Sequence, residues 1–121
     1  MKNRQEYLDF VSEWLSPLGE IATRAMFGGH AVYCGGLTIA LIADNALYLK
    51  VDDETRARFE AAGSRAFQPY PDRPDVMQYY PPPPEFFEDA AAMKDWGRVA
   101  LHAARRAQLK KTPKKRKAGG K

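Results

Sequence analysis

The chain is poor in the residues that most often carry covalent or metal chemistry: one cysteine, Cys34, and two histidines, His30 and His102, among 121 residues. A lone thiol forms no internal disulfide and suits a reducing compartment. Without C-x-x-C, H-x-x-x-H or H-E-x-x-H spacing, no metal site is expected. His30 and Cys34 lie four positions apart on an extended segment, so their Cα atoms stand roughly 13 Å apart, too far for a nucleophile and its base. There is no run of about 18 apolar residues to span a bilayer. The first ten residues, MKNRQEYLDF, are polar where a secretory signal is apolar. A cytoplasmic protein without a membrane partner is expected. The pattern G-x-x-x-x-G-K-[ST] is also missing, and Gly28-Gly29 does not open a helix after a strand, so no cofactor is implied.

Acids are missing from residues 105–121, which hold nine of the nineteen Lys and Arg residues. That leaves ten basic against fifteen acidic residues in 1–104, a net charge of −5 beneath a total of +4. The positive sign therefore belongs to the C-terminal end, not to the body. The expected organisation is one domain over 1–109 and a disordered basic tail over 110–121.

Within the body, Tyr7, Phe10, Val11, Trp14, Leu15 and Leu18 recur at steps of three and four, which predicts a helix over 4–15 ended by Ser16-Pro17, with this stripe in the core. Ala31 to Cys34, Leu37 to Ala43 and Ala46 to Val51 read as three strands in meander order. Gly35-Gly36 and Asp44-Asn45 supply the two connections. Asp52 and Asp53 suit the start of a short helix that Gly63 closes. Val76 to Tyr80 alternates as a short strand. Pro81 to Pro84 reads as a stiff polyproline connection into a last helix from about Glu85 to Leu109. These elements predict a two-layer α+β domain of order α-β-β-β-α-β(-β)-α, its antiparallel sheet covered on one face by helices.

The same residues carry a family resemblance. The order R-x-M-F-G-G at Arg24 to Gly29, Tyr33, Gly36, Asp44, LYLKVDD at Leu47 to Asp53, Phe59 and Gly63, Met77 and Tyr79, and Trp96 resembles the N-terminal domain of the TfoX/Sxy competence regulators. The resemblance implies a small α+β domain related to secretion-chaperone-like folds, found in bacterial regulators of DNA uptake and transformation genes and usually without enzymatic activity. Full-length regulators of that kind carry a second helical domain where this sequence has its basic segment, so direct control of competence genes is not part of the expectation.

Two groups of residues are candidates for function. Arg24, Met26, Phe27, Gly28, Gly29 and Lys50 form the family motif and a candidate partner surface. There Met26 and Phe27 are expected as core anchors, the glycines as bend residues, and Arg24 and Lys50 as partners of Asp44, Asp52 or Asp53 or as anion contacts. Arg105, Arg106, Lys110, Lys111, Lys114, Lys115, Arg116 and Lys117 are expected to meet DNA or RNA. With no aromatic residue between Arg105 and Lys121 to stack on bases, that contact should ignore sequence. The functional expectation is a non-enzymatic regulatory or interaction domain with a protein partner and tail contacts to nucleic acid. The alternatives are a small-ligand or enzymatic site near Arg24 and Lys50, and a structural homodimer through the open sheet.

Overall fold

The first helix, α1 (Gln5–Leu15), buries Leu8, Val11 and Leu15. A computed structural model describes residues 3–26, 28–67 and 78–120, with side chains as far as Lys110. Phe10, expected in the buried stripe, is instead 44% exposed. One residue step of about 100° carries it from Val11, at the edge of the stripe, toward solvent. No side chain caps the helix at Arg4. The Arg4 N–H instead donates to Asn45 Oδ1 (2.7 Å), and the Asn45 N–H donates to Asn3 Oδ1 (2.8 Å), so the chain start is tied to a hairpin tip. Ser16–Leu18 forms a 3-10 turn.

Five antiparallel strands follow in sequential order: β1 (Ile21–Met26), β2 (Gly29–Cys34), β3 (Leu37–Ala43), β4 (Ala46–Lys50) and β5 (Tyr79–Tyr80). The α+β class and the one-sided cover are as expected, but β1 adds a strand ahead of the three predicted. Its sequence, IATRAM, lies on the sheet edge and is exposed at most positions, so it lacks the apolar alternation that marks a half-buried strand. Of the predicted strand 76–80, Tyr79 and Tyr80 pair with β4, and 76 and 77 lie outside the described residues.

Both predicted turns adopt positive φ at their two central residues, +57° and +87° at Gly35 and Gly36, and +52° and +60° at Asp44 and Asn45. This is the backbone twist that two-residue hairpins require. The β2–β3 register shifts at Val32/Tyr33, where Val32 faces Ala40 but Tyr33 faces Thr38. Ile39 is the extra residue of this bulge, and both Ile39 and Ala40 join the core.

The core face of the sheet presents Val32, Cys34, Ile42, Leu47, Leu49 and Tyr80. Leu8, Val11 and Leu15 of α1, Phe59 of α2 (Arg56–Ala61), and Met93, Trp96, Ala100 and Ala104 of α3 (Ala90–Gly120) pack on it. Phe59 is fully buried, with its ring centroid 4.9 Å from that of Trp96 in an edge-on contact. Before α3, Pro84–Phe87 forms a 3-10 turn, so the last helix starts later than the predicted Glu85 and runs past Leu109. Gly97 lets α3 approach the Ser16–Leu18 turn, where an added Cβ would stand 2.5 Å from Leu18 Cδ1.

Candidate functional site

Arg24 and Met26 lie on edge strand β1 and both are exposed, Met26 by 37%, so Met26 is not the core anchor expected of it. Phe27 falls outside the described residues. Gly28 takes φ +81° in the connection that returns the chain to β2. Gly29 serves a different need: a Cβ there would sit 2.6 Å from the Ile42 carbonyl oxygen, so the two strands approach closely only because it has no side chain. The glycine pair thus shapes the sheet corner.

Lys50, on β4, holds its ammonium 5.5 Å from the Tyr79 ring centroid. Arg24, Ala31, Leu41 and Tyr48 form one cross-strand row on the face opposite the helices, and Lys50 follows two residues after Tyr48 on that face. Arg24 and Lys50 therefore share a face but not a point, since three strand spacings of about 4.8 Å separate β1 from β4. Of their expected partners Asp44, Asp52 and Asp53, the last two are engaged by Arg106 and Arg56. Around Lys50 the face is aromatic. Tyr48 packs on Phe67 at 4.3 Å between centroids, and burial, with Tyr33 adding, pushes the Tyr79 phenol up.

Cys34 is buried, and that burial raises its thiol pKa while the Arg105 charge opposes the rise. This is the reverse of what a thiolate nucleophile needs. His30 Nδ1 instead lies 2.8 Å from Asn3 Nδ2, whose amide also donates to the Ile42 carbonyl (2.9 Å). Among the described residues, no three His, Cys, Asp or Glu side chains gather to hold a metal. Among the described residues, no helix is long and apolar enough to cross a membrane.

The eight candidate cations of the C-terminal end do not share one environment. Arg106 is fixed to the body: its Nε and Nη2 donate to Asp52 Oδ2 (2.6 Å) and Oδ1 (3.1 Å), and Glu54 lies 3.4 Å away. Arg105 and Lys110 are exposed. The side chains of Lys111, Lys114, Lys115, Arg116 and Lys117 lie outside those described.

One surface feature was hidden in the sequence. Phe10 stacks on Trp14 (6.3 Å) and touches Phe87 (5.9 Å), with Tyr7 at 6.2 Å on its other side. The Trp14 indole N–H donates to the Phe86 carbonyl (3.0 Å), which ties α1 to the 3-10 turn before α3. Beside this patch, Arg4, Glu6, Tyr7, Phe10 and Asn45 line an open depression of about 320 Å³. Helical spacing identified the aromatic run but not which edge of it faces water.

No curated protein shows significant similarity to the chain. The TfoX N-terminal domain family model matches residues 13–104, a span that takes in the sheet, α2 and the body of α3. That match covers most of the sequence, and the chain belongs to the TfoX N-terminal domain family.

Proposed function

We propose that this chain is a non-enzymatic regulatory module that acts through macromolecular contacts, with its cationic C-terminal end supplying sequence-independent contact to DNA or RNA. Membership of a regulatory, non-catalytic kind of family supports the first part. The observation that carries the second is the division of charge: residues 1–104 carry a net −5, whereas 105–121 hold nine cations and no acid. An acidic body repels a polyanion, so attraction must come from that end. By its likeness to the module of competence regulators, and without direct control of competence genes, the setting in which it would work is transcription regulation in a bacterial cytoplasm with a protein partner.

The test titrates a labelled DNA duplex with the full chain and with a variant carrying Gln at Lys110, Lys111, Lys114, Lys115, Arg116 and Lys117. The full chain should bind with an affinity that falls steeply with salt. Each lost phosphate contact should flatten the logarithmic salt slope by about 0.9. Equal binding by the two proteins would refute the assignment.

A further inference from the structure

Three large apolar side chains of the described residues are exposed: Phe10, Met26 and Leu109, the last by 64%. Phe10 and Leu109 stand in surroundings of opposite charge. Phe10 is the centre of the Tyr7–Trp14–Phe87 patch. Glu6 and Glu13 lie at helical steps of four and three from it, on the solvent side of α1, and Glu85 and Glu88 flank Phe87 along the chain. All four carboxylates are exposed, and among the described residues none has a salt-bridge partner. Leu109 sits on α3 with Arg105 one turn before it and Lys110-Lys111 directly after, in the segment that has no acid.

These two surfaces cannot meet within one molecule. The aromatic patch lies against the 3-10 turn immediately before α3, while Leu109 lies roughly 28 Å farther along the helix at about 1.5 Å per residue. The Arg106–Asp52 pair holds that distant part of the helix against the junction between β4 and α2. We infer that the exposed aromatic patch of α1 and the Pro84–Phe87 turn docks the cationic, Leu109-bearing end of α3 from a second copy of this chain. In the pair, Leu109 covers Phe10, and Arg105 and Lys110 face the carboxylate rim. A two-fold axis makes the contact twice, once in each direction. The inference goes beyond the proposed nucleic-acid contact and does not require it: the pair forms, or fails to form, in the absence of DNA.

Sedimentation velocity on the full chain, with Phe10→Ser and Leu109→Ser as surface variants, tests it. The unaltered chain should exchange between monomer and dimer, and added salt should shift it toward monomer, because the rim contacts are exposed ion pairs. Each variant alone should weaken the dimer by about tenfold or more, equivalent to about 1.4 kcal/mol. Mixing the two should partly restore association, since one brings an intact helix end and the other an intact patch. Should Phe10→Ser lose its circular dichroism signature, Glu6→Lys with Glu13→Lys takes its place and should also give monomer. A full chain that stays monomeric at every concentration, a dimer indifferent to the variants, or no gain on mixing would each overturn the inference. So would a monomeric chain whose patch variants alter binding of an added basic peptide, because the occupant would then be a foreign partner.

Discussion

Arg106 grips the Asp52 carboxylate at two points, 2.6 Å and 3.1 Å, across 54 positions of sequence. Asp52 is fixed on its own side as well: it accepts the Glu54 N–H (3.1 Å), and its backbone N–H donates to Thr55 Oγ1 (3.0 Å). The pair therefore fastens the far half of α3 to the turn between the sheet and α2. One of the cations that composition assigns to the basic end is thus a structural residue of the body.

The Arg106 guanidinium holds the Asp52 carboxyl below its ordinary range, with the Glu54 and Thr55 hydrogen bonds aiding and burial opposing. A carboxyl lowered on folding contributes stability above its unfolded pKa of about 3.9 and loses that contribution as the pH falls through the folded value. Asp52→Asn should therefore destabilise the chain at pH 7 by about 1 kcal/mol, the scale of a partly exposed pair. The gap from the unaltered protein should close in strong acid. Urea denaturation at both pH values measures it, and a gap of constant size would show that the pair does not titrate with folding.

Arg106→Gln gives a second expectation, because a guanidinium already committed to a carboxylate has less to offer a phosphate. If the cationic end binds DNA, this substitution should lower affinity less than Lys110→Gln, whose side chain is exposed. It should lower stability more. Fluorescence anisotropy and denaturation on the same two proteins separate the effects, and the opposite order would return Arg106 to the binding end.

The two hairpin glycines and Gly29 should respond to substitution for different reasons. Gly35 takes φ +57° with no atom within 4 Å of an added Cβ, so Gly35→Asn, a residue tolerant of that conformation, should be nearly neutral. Gly29→Ala has no such escape. Its Cβ would meet the Ile42 carbonyl at 2.6 Å, and a backbone oxygen cannot rotate away as a side chain can. The expected loss is about 1–3 kcal/mol, typical of overpacking. Thermal melts of both variants decide the matter. A Gly29→Ala protein as stable as the unaltered chain would mean that the strands part without cost.

Much of this architecture is legible in sequence where one local signal decides the outcome. Gly35-Gly36 and Asp44-Asn45 fix their turns because few residues accept positive φ, and Gly63, at φ +89°, marks the end of the α2 region. Legibility fails where the deciding partner is remote. Edge strand β1 pairs on one side and stays exposed, so its composition resembles a loop. The Ile39 bulge depends on register with β2. Phe10 reads as core until the location of Phe87 is known, and nothing in the spacing of Asp52 and Arg106 announces their contact. The candidate motif shares this weakness: its glycines are explained by geometry, whereas Arg24 and Lys50 are neighbours in pattern and apart in space.

Trp14 gives a prediction on packing. Its indole donates to the Phe86 carbonyl, so Trp14→Phe removes one hydrogen bond but keeps much of the ring, and should cost about 1 kcal/mol. Trp14→Ala also removes the stack with Phe10 and the cover of the half-buried ring, and should cost about 3 kcal/mol. Equal losses in the two variants, measured by urea denaturation, would show that the hydrogen bond and not the ring carries the contribution.

Cys34 offers a probe of opening as well as a test of chemistry. Its side chain is 4% exposed, and Gly19 lies so near that a Cβ there would stand 2.9 Å from Sγ. Burial raises the thiol pKa, so access and ionisation both oppose attack. A soluble disulfide reagent should therefore modify the native protein far more slowly than the unfolded chain. The rate should climb with denaturant as the β2 region opens, and with pH as the thiol ionises. Stoichiometric labelling of the native chain at the speed of a free thiol would mean that Cys34 is reachable and activated, and would reopen a nucleophilic role for it.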